Sequence, residues 1–341
     1  MSDRVDRALL RFADGEALEI SVDQSKSILA AARGAGIALA SDCEDGFCAT
    51  CLSRLVAGVV RYDDVDELVI DEDERAAGDV LICQTRPACS ALEIELPYAR
   101  ASVLPKQGRT LTVETVRRLS ASVWEVVCRS GDKAMFDFLP GQYVNLAVPG
   151  AGVERSYSMA NPPGSDDAAF LIRELPDGAM SRYLATAKPG DQWRVRGPNG
   201  VFYRRTFPGA SIVMVAGGTG LAPMLSMLRQ LADNGETAGD ILLVFGVTDQ
   251  ADAFYDAELT RLAETFPNLQ RVTCAMTHDE TWRGVSGTVV DGLTARGGFD
   301  PTSVAYLCGP PAMVDAVRPV LASRGVNEDR IFAEEFLPAD A

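Results

Sequence analysis

One histidine, His278, stands in a chain of 341 residues, and that scarcity excludes much chemistry. A Rieske cluster needs two imidazoles, and so does a two-histidine, one-carboxylate iron site. A Ser-His-Asp arrangement could still draw on His278, but the residue lies in Thr277-His278-Asp279-Glu280-Thr281, a polar stretch that reads as a surface loop. Positive charge is also short: 32 Lys and Arg against 48 Asp and Glu leave a formal charge of −16. Phosphate binding needs clustered cations to displace counterions, so neither nucleic acid nor an acidic membrane surface is expected as a partner. No apolar run approaches the roughly 18–20 residues of a membrane span, and residues 1–7 carry no apolar segment of the kind that follows the basic start of a secretion signal. The expected location is the cytoplasm.

What remains is the composition of an ordinary globular protein, 47% apolar and 23% charged, with no repeat of 20–50 residues. At roughly 100–200 residues per domain the length allows two or three domains. The acidic excess is uneven, with 9 basic and 20 acidic side chains in residues 1–98 against 23 and 28 in residues 99–341. Residues 1–98 read as a small α+β module, with strands at 9–12, 17–22 and 92–96 and a helix at 28–33. Residues 99–107 have the composition of a linker. Residues 108–207 carry β-rich runs at 111–116, 123–128, 143–148 and 169–175 between Gly and Pro turns, as an antiparallel barrel requires. Residues 208–341 alternate strands at 211–216, 241–245, 271–275 and 304–308 with helical patterns at 223–234 and 312–324, which predicts a parallel doubly wound sheet. Such sheets bind ligands beyond the carboxyl ends of their strands.

Eight cysteines without a secretion signal suggest metal ligands and buried thiols in a reducing compartment rather than a disulfide framework. Cys43, Cys48 and Cys51 are spaced C-x4-C-x2-C and Cys83 follows after 31 residues, the plant-type arrangement that holds a [2Fe–2S] cluster on four thiolates. Ser41, Gly46, Ala49 and Thr50 are small enough for backbone amides to approach the sulfides, and Gly46 can take a positive φ. Structural zinc is the competing reading, although zinc sites usually pair CxxC knuckles. Cys89, Cys128 and Cys274 read as buried apolar thiols. These residues resemble the ferredoxin modules of bacterial oxygenase reductases, which implies a β-grasp-like fold. Two positions depart from that pattern: Glu44 stands where the family often has a basic residue, and Phe47 where it commonly has a small one. The charge of Glu44 is expected to favour the oxidised cluster and lower its potential.

Phe138-Leu139-Pro140-Gly141-Gln142-Tyr143 is followed by Arg155-Ser156-Tyr157-Ser158. On its residues alone this is a barrel strand with an exposed arginine, but it resembles the R-x-Y-S signature of ferredoxin–NADP reductase-type flavin domains. The resemblance places Arg155 toward the FAD pyrophosphate, Tyr157 against the isoalloxazine and the Ser158 hydroxyl near flavin N5. The planar fork of arginine suits phosphate. Ile172 and Arg173 lead through Glu174 and Leu175 to a loop where Gly178, Met180 and Ser181 offer amides and a hydroxyl at a helix N-terminus, a natural anion site. In the family this loop also meets the FAD pyrophosphate.

The strand at 212–216 runs into Gly217-Gly218-Thr219-Gly220-Leu221-Ala222-Pro223, a glycine turn whose small residues let a pyrophosphate lie against backbone amides, with proline near the start of the next helix. It resembles the nicotinamide-binding loop of the same superfamily, in which a Cys308-Gly309-Pro310 segment lines the nicotinamide. Cys308 then faces the hydride path; a buried structural thiol is the alternative. Asp249-Gln250-Ala251-Asp252 follow the strand at 241–245. A carboxylate there accepts from a ribose 2′-hydroxyl and repels a 2′-phosphate, so NADH is expected over NADPH, with Asp252 as the discriminator or else a plain loop aspartate. In the superfamily a C-terminal aromatic shields the flavin face; Phe336 is the candidate, ordinary tail packing being its alternative, and Glu334 corresponds to an acidic residue near that site. Glu335 stands where the family frequently has lysine.

In this order of modules, essentially the whole chain resembles NADH-dependent oxygenase reductases of the benzoate dioxygenase reductase and soluble methane monooxygenase reductase type. The resemblance implies an oxidoreductase in which NADH delivers a hydride to FAD and the electrons leave singly through the cluster to a terminal oxygenase component. Ser158, Cys308, Glu334 and Phe336 are the residues expected at the chemical centre. Hydride transfer needs no general base, so the lack of histidine is no obstacle. Residues 92–98, 155–161 and 335–338 look closer to the reductases of soluble diiron hydroxylases. A Rieske-type dioxygenase is the alternative partner, and a redox-sensing binding module a further reading. The acidic run Asp63, Asp64, Asp66, Glu67, Asp71, Glu72, Asp73 and Glu74 is read either as a docking surface for the oxygenase or as a solvated loop with acids at a helix N-terminus.

Overall fold

The computed structural model describes residues 6–63, 69–131, 137–236, 238–295 and 297–336. The chain divides into two compact units, residues 1–106 with 199–201 and residues 107–198 with 202–341.

The first unit is built on alternation of period two. In β1 (Asp6–Phe12), Ala8, Leu10 and Phe12 point into the core while Arg7 and Arg11 do not. It pairs antiparallel with β2 (Ala17–Val22). The helix α1 (Ile28–Gly34) starts where Ser27 Oγ accepts from the Ala30 N–H at 3.2 Å and buries Ile28, Leu29, Ala31 and Ala32. After it come β3 (Leu52–Ala57), β4 (Val60–Tyr62), α2 (Glu72–Ala77), β5 (Asp79–Leu81), β6 (Thr85–Pro87) and β7 (Ala91–Leu96). The five-stranded sheet has the order β2-β1-β7-β3-β5, with β1 and β7 parallel, and β4 pairs with β6 as a separate ribbon. This is the β-grasp-like arrangement expected. Residues 99–106, read from composition as linker, lie within this unit: the Arg100 N–H donates to Asp14 at 3.0 Å, and Lys106 lies 3.9 Å from Asp42.

The second unit opens with six strands, β8 (Gln107–Arg118), β9 (Val123–Ser130), β10 (Tyr143–Ala147), β11 (Glu154–Ser158), β12 (Asp167–Arg173) and, after the short helix α3 (Ala179–Leu184), β13 (Gln192–Asn199). Their order is β11-β10-β13-β8-β9-β12, and a bridge from Met159 to Phe170 joins the two end strands, closing the barrel. Fully buried Trp193 and Phe170 fill it, and the Trp193 indole N–H finds the Tyr183 hydroxyl at 3.0 Å.

The remainder is a parallel sheet with helices on both faces. It consists of β14 (Ile212–Gly217), α4 (Leu221–Asp233), β15 (Ile241–Asp249), α5 (Asp256–Thr265), β16 (Leu269–Thr277), β17 (Val285–Ser286), α6 (Val289–Thr294), β18 (Val304–Gly309), α7 (Pro311–Ser323) and β19 (Ile331–Glu335). The order β17-β16-β15-β14-β18-β19 places the topological switch between β14 and β18, where a doubly wound sheet opens a crevice for a ligand. Val123, Ala160, Leu171 and Phe202 of the barrel share one core with β14 and α4, so barrel and nucleotide sheet are welded into a single unit. Among the described residues no helix is long and apolar enough to cross a membrane.

Candidate functional site

In the first unit the loop between α1 and β3 carries Cys43, Cys48 and Cys51, and Cys83 follows β5. The Leu29 N–H donates to the Ile82 carbonyl at 3.0 Å and the Ile82 N–H to the Cys51 carbonyl at 3.4 Å, which seats Cys83 beside Cys51. The thiols fall into two hydrogen-bonding pairs, Cys43 with Cys48 and Cys51 with Cys83. Backbone N–H groups of Asp45 and Cys48 donate to Cys43 Sγ at 3.4 and 3.3 Å, and that of Cys43 to Cys48 Sγ at 3.4 Å. Three residues turn the chain inward with left-handed backbone: Glu44 (φ 63°), Gly46 (φ 80°) and Ala49 (φ 55°). For Glu44 and Ala49 that conformation costs about 1–2 kcal/mol each, strain that ligand binding can explain. The Cys48 thiol and then the backbone amides hold the Cys43 thiol down to about 5, whereas the neighbouring Cys43 and Cys83 thiols and burial push Cys48 and Cys51 up. Among the described residues no three His, Cys, Asp or Glu side chains converge on one point as a single ion needs. Two thiol pairs suit a binuclear cluster carrying two thiolates on each iron, so the four cysteines fit [2Fe–2S].

One expectation about this unit gains a partner and another needs correction. Glu44 does not present a bare charge: its carboxylate accepts two N–H groups from Arg33, one at 3.2 Å, so the cation offsets much of the field. Cys89 is only partly buried, and its Sγ accepts from the Val59 N–H at 3.1 Å and donates to the Ala91 carbonyl at 2.9 Å. Cys128 and Cys274 are buried as expected.

In the barrel, strand alternation puts Arg155 and Tyr157 on one face of β11 and Ser156 and Ser158 on the other. Tyr157 packs against the barrel core, and burial outweighs the nearby Arg155 charge to keep its hydroxyl protonated. A cation and an aromatic ring side by side suit a flavin and its pyrophosphate. The loop before α3 turns through Asp177 (φ 57°), and Ser181 Oγ accepts from the Leu175 N–H at 2.8 Å. Ser122, Glu174, Ser181 and Arg182 border an open cleft of about 420 Å³. Ile172 and Met180 are 1% and 5% exposed; their side chains belong to the core, so only their backbone could serve a cofactor. Arg173 is exposed.

At the switch point the loops after β14 and β18 approach at backbone distance, which explains their glycines. A Cβ on Gly220 would lie 2.1 Å from the Cys308 carbonyl oxygen, one on Gly217 would lie 2.8 Å from Met313 Sδ, and one on Gly309 would lie 2.8 Å from Met313 Cε. Gly218 takes φ 54°, Thr219 follows it, and Pro223 sits in the first turn of α4, where its missing N–H leaves no bond unmade. Pro310 precedes α7 as its N-cap. This narrow crevice fits a dinucleotide pyrophosphate laid on bare backbone.

Three expected residues converge here. Cys308 and Glu334 stand opposite each other in the β18–β19 register, and the Ser158 hydroxyl from the barrel donates to Glu334 Oε2 at 3.2 Å. Cys308 is fully buried, and burial followed by the Glu334 charge lifts its thiol well above the usual range, so it is neutral. Glu334 keeps some contact with solvent, yet burial raises its carboxyl to about 8 against the pull of Ser158. Phe336 follows, 37% exposed, with its N–H on the Gly309 carbonyl at 3.0 Å.

Asp252, the expected discriminator or else a plain loop aspartate, bonds to the barrel. Its Oδ1 accepts from the Ser120 hydroxyl at 2.7 Å and the Ser122 N–H at 3.3 Å, both in the barrel. The acid at the carboxyl end of β15 is Asp249, whose carboxylate accepts from the Ala251 N–H at 2.9 Å and the Thr277 hydroxyl at 2.8 Å. Sequence reasoning passed over it, although an acid closing the second strand of a nucleotide fold is itself a signal. It also missed Tyr255 and Glu125, whose contact depends on tertiary structure. His278 is exposed, its ring stacked 6.4 Å from that of Trp282.

Comparison with known proteins gives the same three modules. Residues 12–88 match the 2Fe-2S iron-sulfur cluster binding domain, 110–203 the oxidoreductase FAD-binding domain and 214–319 the oxidoreductase NAD-binding domain. The chain is 34% identical over 338 residues to the anthranilate 1,2-dioxygenase electron transfer component of Acinetobacter baylyi, covering 97% of each. It is 39% identical over 267 residues to methane monooxygenase component C of Methylosinus trichosporium, covering 76% of this chain and 77% of the relative. Among solved structures, the cytochrome P450 reductase GcoB of Amycolatopsis superposes with a TM-score of 0.74 at 27% identity, covering 97% of this chain and 99% of that one. The thiol pairs, the flavin strand and the crevice at the switch point therefore have one joint explanation: the chain belongs to the family of iron–sulfur flavoprotein reductases that serve as electron-transfer components of oxygenases.

Proposed function

We propose that the chain draws electrons from NADH and delivers them singly to the hydroxylase of a soluble diiron monooxygenase. The observation that carries the redox reading is the convergence of Ser158, Cys308 and Glu334, where the end of a flavin-barrel strand meets the switch point of a nucleotide sheet. FAD supplies the conversion of a hydride into separate electrons. The chain's own residues supply position and shielding. Arg155 and the loop at Gly178 and Ser181 anchor the pyrophosphate, Tyr157 lies along the ring, and the glycine loops hold the dinucleotide. Phe336 covers the flavin face until nicotinamide displaces it. Ser158 and protonated Glu334 fix a proton beside the acceptor atom, and neutral Cys308 fills the pocket without charge. Asp249, held ionised by the Ala251 amide and the Thr277 hydroxyl, favours NADH by repelling a 2′-phosphate. Cys43, Cys48, Cys51 and Cys83 would hold the cluster.

The identity to methane monooxygenase component C favours a diiron partner. The near full-length match to a dioxygenase component favours a Rieske oxygenase as the second reading. Eight cysteines, all free, suit a reducing cytoplasm. Docking is assigned to the exposed acids Glu72 and Asp73 at the start of α2. Asp63 is paired with Arg86, and Asp71 and Glu74 close a capping box; Asp64, Asp66 and Glu67 lie outside the described residues.

The test reconstitutes NADH-driven turnover with a purified diiron hydroxylase and, in parallel, a Rieske oxygenase. Faster coupled turnover with the diiron hydroxylase is expected, falling with ionic strength; turnover with the Rieske protein alone overturns the partner assignment. Reversing Glu72 and Asp73 to lysine removes the docking assignment if rate and salt dependence do not change.

A further inference from the structure

The turn from Asp252 to Tyr255 grips the barrel with two side chains and its own sheet with a third. Asp252 accepts from Ser120 and Ser122 in the hairpin turn between β8 and β9. The Tyr255 hydroxyl donates to Glu125 on β9, a carboxylate only 8% exposed whose other oxygen accepts from Arg117 on β8. The Arg117 guanidinium lies 6.0 Å from the Tyr255 ring centroid. Between the two grips, Phe254 is buried edge-on against Phe245 of β15 at 5.2 Å. Tyr255 has φ 66°, a left-handed backbone that a bulky residue keeps only where its surroundings over-determine it.

The placement matters because of strand order. β15 lies on one side of β14, and β18 and β19 lie on the other. The barrel therefore holds the nucleotide sheet at Asp252 and Tyr255 on one flank of the crevice and, through Ser158 and Glu334, on the other. These polar grips flank the core that Val123, Ala160, Leu171 and Phe202 share with β14 and α4, and fix the register of the sheet at its two sides.

We propose that the Asp252–Tyr255 turn is a positioning latch that sets the register of the nucleotide sheet on the flavin barrel, and that Asp252 does not read the cofactor ribose. The proposal rests on the reading of the centre as one where NADH gives up a hydride to the flavin and leaves as NAD+. Hydride transfer is sensitive to misplacement, since an error of about 1 Å can cost on the order of a hundredfold in rate. A latch acts on that rate and not on nucleotide affinity.

The experiment is anaerobic stopped-flow reduction of FAD in the holoenzyme, with NADH and with NADPH, for wild type, Ser120→Ala, Asp252→Ala, Asp252→Asn and Tyr255→Phe. Ser120 belongs to the barrel, so its effect cannot come from ribose recognition. The limiting rate should fall on the order of tenfold in Ser120→Ala, Asp252→Ala and Tyr255→Phe, with the NADH dissociation constant within about twofold and the preference for NADH unchanged. Asp252→Asn keeps an oxygen for the Ser120 hydroxyl and should stay within about threefold of wild type. Losses in Ser120→Ala and Asp252→Ala should not add in the double variant. If Asp252→Asn and Asp252→Ala both gain NADPH use, the carboxylate reads the ribose and the latch is overturned. Wild-type rates in all four single variants overturn the latch alone. Failure of wild type to be reduced by NADH overturns the functional reading and the latch with it. Should Asp252→Ala fold poorly, Ser120→Ala and Tyr255→Phe decide the matter.

Discussion

Replacing Glu334 by glutamine tests the electrostatics of the centre directly. Burial raises this carboxyl from an ordinary 4.5 to about 8, with the Ser158 hydroxyl opposing the shift. At 1.4 kcal/mol per pH unit the carboxylate form is disfavoured by roughly 5 kcal/mol, an upper figure because some of the residue still meets water. For an acid whose folded value lies above its unfolded value, the folded chain holds the extra proton between the two. Stability relative to the glutamine variant should therefore fall by about 1.4 kcal/mol per pH unit from about pH 4.5 to about pH 8, and level off above. At pH 7 the neutral acid outnumbers the carboxylate by about ten to one. Glutamine copies that neutral form and still offers Ser158 an oxygen, so Glu334→Gln should reduce its flavin at close to the wild-type rate at pH 7. Above about pH 8 the wild-type rate should fall with loss of one proton while the variant stays flat. Infrared difference spectra of the two proteins should show a protonated carboxyl band in wild type at pH 7 that is half gone near pH 8. Absence of that band at pH 7, or parallel rate profiles up to pH 9, would refute the claim that burial dominates at Glu334.

Arg33→Ala should lower the cluster potential by some tens of millivolts, because Glu44 loses the cation that offsets it. Glu44→Gln in that background should restore the potential, and the shift should shrink with added salt; a redox titration followed by EPR reads it, and no shift means that Glu44 lies too far from the cluster or too deep in solvent to act. Gly220→Ala drives a methyl to 2.1 Å from a backbone oxygen of β18, a contact no side-chain movement relieves, so it should cost several kcal/mol and abolish NADH binding. A thermal melt and an NADH titration check it, and an unchanged melt would mean that the two loops are not packed as closely as described.

The motifs legible in the sequence are those in which neighbouring residues do the work. The C-x4-C-x2-C loop, the R-x-Y-S strand and the glycine turn after β14 each place their chemistry within a few residues, so each carries a resemblance to a known motif that a single stretch of sequence can show. The parallel sheet announced itself through near-continuous apolar runs such as 212–216 and 304–308. Strand β13 was overlooked even though Trp193 and Val195 alternate with Gln192, Arg194 and Arg196, because glycine and proline at its end resemble a turn. Asp252 was ambiguous for a different reason. A loop aspartate beside a nucleotide strand carries the same local signal whether it faces a ribose or a serine 132 positions away, and only the closure of the barrel chooses between them. Glu44 shows the same limit, since its charge was plain and its partner on α1 was not.

The same asymmetry separates the residues that hold a cofactor from those that join the barrel to the nucleotide sheet. Cofactor-holding residues are largely local because a cofactor is small: one loop carries three of the four thiols and Cys83 adds the fourth. Residues that join the barrel to the nucleotide sheet sit at a seam, and come from distant parts of the chain. Ser158 and Glu334 are 176 positions apart, and Ser120 and Asp252 are 132 apart, yet together these two hydrogen bonds straddle the crevice at β14 and β18. A substitution in a loop should therefore cost occupancy of one cofactor, whereas a substitution at a seam should leave every cofactor bound and slow the step between them. That division is physical: binding is the sum of contacts to one ligand, and the rate depends on the relative placement of two.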